Sequence, residues 1–170
     1  MQERKGVITF AGNPLTLLGP ELKAGAAAPE FTLAGNDLKP KTLSAYKGKA
    51  VIISVVPSLD TGVCDLQTKR FNKEAGSLAG VQILTVSCDL PFAQARWCGA
   101  AGVANLETLS DHFDLNFGTS YGVAIKELRL LTRAVFALDK THKIVYTEIV
   151  PEVTQAVNFD AVLAVVKKLL

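Results

Sequence analysis

The sequence predicts an α/β protein in which a central mixed β-sheet is flanked by helices. Two apolar segments rich in β-branched residues, 51–56 and 81–87, are each followed by a segment that favours a helix. A helix between neighbouring parallel strands is the expected right-handed crossover, so we expect these two strands to pair in parallel. A hairpin pattern over residues 132–150 and a closing amphipathic helix complete the pattern.

The first fifty residues predict short strands separated by loops. Residues 7–10 and 15–18 flank Ala-Gly-Asn-Pro and fit an N-terminal β-hairpin. A short strand is expected at 31–33, and the polar segment 37–41 is expected to be a loop. Residues 43–46 fit a helical turn. The hairpin would then be an addition in front of the main sheet.

The first central strand should stop at Pro57, which has no amide hydrogen to donate. Thr61 is a favourable N-cap, and a helix is predicted from there to Gly76 or Gly80. Cys64 falls in the first turn of that helix. The helix is supported by apolar residues that recur at roughly helical spacing: Val63, Leu66, Phe71, Ala75 and Leu78.

The second half of the chain continues the pattern. Asp89 is a candidate N-cap for a shorter helix over 92–101, with Pro91 in its first turn. A short strand is possible at 106–109. Residues 111–122 are expected to form a loop anchored by three aromatic residues, Phe113, Phe117 and Tyr121.

The last elements are a hairpin and a helix. Strands at 132–138 and 144–150 should pair around a turn at 139–142, and Asn158 should cap the final helix. These parts match a thioredoxin-like fold carrying an added N-terminal hairpin. Without repeats, linkers or low-complexity tracts, residues 1–170 are expected to form a single domain.

Composition excludes several function classes. The chain has 18 basic and 16 acidic residues, for a net charge of +2, without a basic block or an acidic tail. Neither nucleic acid nor an anionic membrane is therefore expected as a partner. The N-terminal residues lack the apolar core of a signal peptide, so the cytoplasm is the expected location.

Cys64 is the first candidate for chemistry. Unpaired amides and the positive end of the helix dipole would favour a thiolate there, as in many nucleophilic cysteines. The alternative is a small apolar residue buried under the helix, since free cysteine is often buried. Position alone leaves both interpretations open.

The surrounding motifs favour the first interpretation. Pro57-x-x-x-Thr61-x-x-Cys64 resembles the active-site signature of peroxiredoxins. Asp-Thr-Gly-Val-Cys64, Asp89-Leu-Pro-Phe-Ala-Gln, a following cysteine at position 98, Tyr121-Gly-Val-Ala and Arg133-Ala-Val resemble the bacterial thiol peroxidases, the atypical two-cysteine branch. The resemblance runs over essentially the whole chain.

The resemblance implies a role for each motif residue. Cys64 would be the peroxidatic cysteine and Cys98 the resolving cysteine of the same chain. Thr61 and Arg133 would assist at the peroxide, and Pro57 would shield the pocket. It also implies an antioxidant enzyme that reduces hydrogen peroxide and organic hydroperoxides without a cofactor, takes electrons from thioredoxin and forms a homodimer.

Elementary chemistry agrees with these roles. A thiolate that attacks a hydroperoxide becomes a sulfenic acid. The Thr61 hydroxyl can donate and accept, and a cation lowers the barrier as charge builds on the departing oxygen. Period-two counting places Arg133 on the strand face of Val135 and Ala137, where a thiolate would be a suitable partner; the alternative is a guanidinium exposed to water.

Resolution by Cys98 requires movement. A disulfide needs Cα atoms within about 7 Å, and cysteines on separate helices are not expected to start that close. We therefore predict that oxidation unwinds residues 61–66 and 92–102, where Gly62, Gly99 and Gly102 weaken the helices.

The remaining candidates are weaker. Cys88 is expected to be a buried bystander, and a zinc site formed by Cys88, Cys98 and His112 is a less favoured alternative because its spacing fits no common pattern. His112 and His142 are expected at the surface. Besides the peroxidase, the sequence leaves open a peroxide-responsive redox sensor that uses the same disulfide as a switch. A thiol–disulfide oxidoreductase is disfavoured because the chain has no CxxC pair.

Overall fold

The computed structural model describes residues 1–170 and contains eleven strands and four α-helices. The strands are β1 Glu3–Phe10, β2 Asn13–Leu18, β3 Thr32–Ala34, β4 Pro40–Thr42, β5 Ala50–Val55, β6 Val81–Ser87, β7 Glu107–Ser110, β8 Ala124–Ile125, β9 Leu130–Leu131, β10 Ala134–Leu138 and β11 Ile144–Ile149. The helices are α1 Gly62–Ala75, α2 Pro91–Ala101, α3 Asn116–Ser120 and α4 Phe159–Lys167, and a 3₁₀ turn spans Leu43–Tyr46.

The main sheet is mixed and has seven strands in the order β11-β10-β5-β6-β7-β3-β4. The predicted parallel pairing of β5 with β6 is confirmed, with Ile52 opposite Ile83. The hairpin of β10 and β11 is also confirmed, and β10 pairs antiparallel with β5. Together with the flanking helices, this arrangement confirms the predicted thioredoxin-like α/β fold.

Both faces of the sheet are covered, which explains why β5 is buried at every position. On one face, α1 and α4 pack Phe71, Val162 and Val166 against Ile52 and residues beside it. The other face, which includes Phe136 of β10, packs against Phe31, Phe117 and Tyr121. Residues of β5 therefore alternate between two cores, as strand geometry requires.

The N-terminal hairpin belongs to a second sheet. β1 and β2 pair as predicted, and β2 also pairs with β8, giving the order β1-β2-β8-β9. Gly19 follows β2 with φ +100, and a Cβ there would lie 1.9 Å from the carbonyl oxygen of Thr119. Only glycine fits this close approach.

Two loop predictions are only partly correct. Residues 37–39 lie outside any strand, as predicted, but Pro40–Thr42 form β4; Pro40 is tolerated because β4 is an edge strand. The segment 111–122 contains α3, whose backbone amides at Phe117 and Gly118 donate to the buried Asp111 carboxylate. Phe113 is no anchor, since it is 86% exposed.

The two central helices differ in detail from the prediction. α1 buries Cys64, Gln67, Thr68 and Phe71, whereas Leu66 is 68% exposed. The N-cap of α2 is Leu90 rather than Asp89, whose carboxylate accepts hydrogen bonds from other segments instead. The predicted Asn158 cap is confirmed, with its side chain accepting from the Ala161 amide at 3.0 Å.

None of the helices combines the length and the apolar character needed to cross a membrane.

Candidate active site

Cys64 lies in the first turn of α1, immediately after the loop that leaves the carboxyl end of β5. Its side chain is fully buried and packs in a small cluster with Val56 and Leu59, against which Trp97 of α2 also rests. The amide groups in a helix's first turn have no acceptor within the helix. The sulfur therefore sits at the positive end of α1, beside apolar side chains.

Thr61 occupies the N-cap position, but its side chain does not cap the helix. Its hydroxyl can donate to either of two acceptors, Cys64 Sγ at 2.6 Å or the carbonyl oxygen of Ser58 at 3.2 Å. Because Thr61 is exposed and Cys64 is buried, this hydroxyl stands between the sulfur and the solvent.

Arg133 immediately precedes β10 and is 2% exposed, so the alternative of a guanidinium in water is wrong. Its Nη2 donates to Cys64 Sγ at 3.1 Å, its Nη1 to Gln67 Oε1 at 2.9 Å and its Nε to the Val153 carbonyl oxygen at 2.8 Å. No carboxylate forms an ion pair with Arg133. The sulfur is thus the group that can supply a negative charge to this buried cation.

Gln67 is a site residue that the sequence analysis missed. It is 1% exposed, and its amide nitrogen donates to Ser54 Oγ at 2.8 Å while its oxygen accepts from Arg133. A signal was present, because Gln67 falls between Cys64 and Phe71 at helical spacing. A polar residue on a buried helix face needs a partner.

Pro57 is buried in the turn between β5 and α1. Val56 still donates its amide to the carbonyl oxygen of Val86, at 3.1 Å, but Pro57 has no hydrogen to continue the ladder. The chain therefore turns here towards Thr61 and Cys64.

Cys98 lies apart from this group, near the end of α2. Its Sγ is 3.4 Å from Thr108 Oγ1 of β7, and the helix ends at Gly102 in the left-handed conformation. Both Cys64 and Cys98 are free thiols. The structure thus brings Cys64, Thr61 and Arg133 together, whereas Cys98 lies on a different helix, α2, and contacts Thr108 of β7.

Cys88 and the histidines make other contacts. Burial raises the pKa of the Cys88 thiol to about 12, and the carboxylates of Asp111 and Asp89 add to the shift. His112 Nδ1 lies 2.9 Å from Ser110 Oγ, and His142 Nε2 lies 3.2 Å from the Tyr46 carbonyl oxygen. Both histidines are half-buried rather than exposed. Cys88, Cys98 and His112 do not form a group that could hold a metal ion.

The geometry around Cys64 suits nucleophilic chemistry. Two donors, one of them cationic, point at one sulfur, and a thiolate accepts such hydrogen bonds better than a thiol does. The same donors could stabilise a negatively charged oxygen that leaves from beside the sulfur.

Comparisons with known proteins agree with this chemistry. The family model described as Redoxin matches residues 23–163. The thiol peroxidase of Bacillus subtilis (strain 168) is 56% identical over 162 residues, which cover 95% of this chain and 97% of that protein. The thiol peroxidase of Halalkalibacterium halodurans is 57% identical over 160 residues, covering 94% and 96% of the two chains.

Solved structures give the same result. The peroxiredoxin-like protein from Aquifex aeolicus superposes with a TM-score of 0.91 at 41% identity, covering 97% of this chain and 98% of that chain. The thiol peroxidase from Chromobacterium violaceum superposes with a TM-score of 0.87 at 19% identity, covering 95% of each chain, and supports the fold alone.

Proposed function

Because the chain belongs to the Redoxin family and is a peroxidase of the peroxiredoxin type, we propose that it reduces hydrogen peroxide and organic hydroperoxides through Cys64. The observation that carries this proposal is the convergence of Thr61 Oγ1 and Arg133 Nη2 on the Cys64 sulfur, at 2.6 and 3.1 Å.

In the first step, the Cys64 thiolate attacks one oxygen of the hydroperoxide. The O–O bond breaks, the sulfur becomes a sulfenic acid, and the other oxygen leaves as alcohol or water after taking up a proton. Arg133 stabilises the charge on the departing oxygen, and Thr61 orients thiolate and peroxide together. Pro57 shields this pocket.

In the second step, the Cys98 thiol attacks the sulfenic acid. A Cys64–Cys98 disulfide forms and water leaves. The two thiols have different partners in the reduced structure, so residues 61–66 and 92–102 unwind to bring them together. Hydrogen exchange tests this step: identical amide protection of both segments in the oxidised and reduced forms would contradict it.

Recycling requires an external dithiol, for which we propose thioredoxin. The resemblance to thiol peroxidases also supports a homodimer, a cytoplasmic location and residues 1–170 acting as a single domain. None of the proposed steps needs a bound cofactor.

Turnover tests the proposal. With thioredoxin, thioredoxin reductase and NADPH, the protein should consume hydroperoxide continuously. A single stoichiometric oxidation followed by a stall would instead indicate the redox sensor. Cys64→Ser should abolish activity, while Cys98→Ser should permit the first oxidation and block recycling.

Intact mass after one equivalent of peroxide, with a non-reducing peptide map, identifies the bonded pair. Cys88→Ser is the matched control, because it removes a thiol that the mechanism does not use. Full turnover by Cys64→Ser, or a disulfide that maps to Cys88, would overturn the assignment.

A further inference from the structure

Asp89 makes contacts that neither the peroxide chemistry nor helix capping uses. It is half-buried in the segment between β6 and α2. One carboxylate oxygen accepts from Ser58 Oγ at 2.7 Å, and the other accepts from the Leu59 amide and from Ser87 Oγ, both at 2.8 Å. All three donors are neutral, and no cation pairs with Asp89.

These contacts join the two segments that carry the cysteines. Ser58 and Leu59 lie in the loop that enters α1, and Leu59 packs beside Cys64 and Trp97. Asp89 lies two residues before α2, the helix that carries Cys98. The Asp89 carboxylate therefore links the loop before the N-terminus of α1 to the segment before the N-terminus of α2.

Further hydrogen bonds hold the segment that contains Ser87 and Asp89 in place. Ser87 Oγ accepts from Gln94 Nε2 at 3.0 Å, and the same Gln94 nitrogen lies 2.9 Å from the Leu109 carbonyl oxygen. Ser110 Oγ donates to the carbonyl oxygen of Asp89 at 2.5 Å. Asp89 is thus attached to β6, α2 and β7, and the Ser58–Leu59 loop is the segment that it holds.

We propose that Asp89 is a positioning residue that sets the rate of disulfide formation by holding both cysteine segments in their reduced arrangement. This inference rests on the proposed function. The Cys64 sulfenic acid has two fates: attack by the Cys98 thiol, which gives a disulfide and water, or attack on a second hydroperoxide, which gives a sulfinic acid and an alcohol or water. The first fate requires the segments to unwind, so the Asp89 contacts favour the second.

Asp89→Asn tests the proposal. It replaces one carboxylate oxygen with an NH₂ group, which cannot accept the hydrogen bonds that Ser58, Leu59 and Ser87 donate. We expect disulfide formation to become roughly tenfold faster, the factor for losing one hydrogen bond to a charged acceptor. The fraction of sulfinic acid at a fixed peroxide excess should fall accordingly. The earlier step, oxidation of Cys64, should change by less than about threefold, because Asp89 does not contact the sulfur.

Stopped-flow fluorescence of Trp97, the single tryptophan, should follow both steps because it packs against the Cys64 cluster and precedes Cys98. Intact mass gives the sulfinic fraction. Asp139→Asn is the matched control. Its carboxylate also accepts from a hydroxyl and from backbone amides, at Thr141 and Lys143, but in the β10–β11 turn.

A smaller change keeps the test decisive if Asp89→Asn fails to fold. Ser58→Ala removes one donor and should also accelerate disulfide formation, whereas Ser58→Thr keeps the hydroxyl and should restore the original rate. Variants that lose thermal stability without any change in the rate of disulfide formation would overturn the proposal, as would slower disulfide formation.

The proposed function can fail separately. If Cys98→Ser still formed an intrachain disulfide, the pairing itself would be wrong whatever Asp89 does. If the Cys64–Cys98 disulfide forms at the same rate in all the Asp89 and Ser58 variants, only the positioning role is wrong.

Discussion

Removal of the Arg133 charge is the sharpest test of the site. The guanidinium lies 3.1 Å from Cys64 Sγ, and two unit charges at that distance attract each other by about 5 kcal/mol at an effective dielectric constant near 20. Much of this attraction is already present with the thiolate before reaction. Oxidation of Cys64 is accelerated only by the additional attraction that develops as negative charge builds on the departing oxygen.

We therefore expect Arg133→Gln to lower the second-order rate constant for Cys64 oxidation about 10²–10³-fold, as for loss of one preorganised donor to an oxyanion. The rate constant of Arg133→Lys should lie between those of the unchanged protein and Arg133→Gln. An ammonium keeps the charge but cannot reach Cys64, Gln67 and Val153 together.

The assay is single-turnover oxidation of the reduced protein, without thioredoxin, followed by Trp97 fluorescence. Arg70→Gln is the control. Arg70 is on the same helix as Cys64, but it is half-exposed, pairs with Asp160 at 3.3 Å and lies over the Phe159 ring. It should stay within about threefold of the unchanged protein, since exposed pairs contribute little. An Arg133→Gln protein that folds and reacts as fast as the control would refute the electrostatic argument.

Three further predictions concern other residues. Thr61→Val should slow Cys64 oxidation roughly tenfold to a hundredfold by removing a charge-assisted hydrogen bond, and Thr61→Ser should restore it in the same stopped-flow assay. Burial raises the pKa of the Asp111 carboxyl to about 6, so its stabilising contribution is full below about pH 4 and is lost, by about 3 kcal/mol, as pH rises through 6. Asp111→Asn should flatten that decline in urea unfolding across this range; an unchanged pH dependence would contradict the burial argument. Cys88→Ala should leave turnover within about twofold, because a thiol whose pKa is near 12 stays protonated; a large loss would show that Cys88 takes part.

The sequence was sufficient for the two central strands of the main sheet, because β5 and β6 are runs of six and seven mostly apolar residues, but it did not reveal the three-residue edge strand β4. The runs at 51–56 and 81–87 are buried on both faces, and Asn158 has a cap that depends on adjacent residues alone. The two-residue strands β8 and β9 and the five-residue helix α3 were not predictable, since such short elements carry no periodicity and exist through tertiary pairing.

The sequence likewise indicated some residues of the site and not others. The resemblance to thiol peroxidases indicated Cys64, Thr61 and Arg133, and the structure places them in contact. Gln67 was missed because the helix was predicted from its apolar residues, which include the exposed Leu66 but not the buried Gln67. The buried face of α1 turns towards a buried cation, which needs the amide oxygen of Gln67. The partners of Asp89 could not be inferred either, because they come from a different loop.

The N-terminal hairpin has a mechanical consequence for Arg133. Thr9 exchanges backbone hydrogen bonds with Pro151 and Val153, and the Glu152 carboxylate accepts from Thr9 and from the turn amides of Ala11 and Gly12. The carbonyl of Val153, clamped in this way, is the one that receives Arg133 Nε. Deleting the hairpin would leave the seven-stranded sheet in place but would free the Val153 carbonyl that holds Arg133 Nε. The hairpin, although remote from Cys64, therefore helps to orient the guanidinium towards the sulfur.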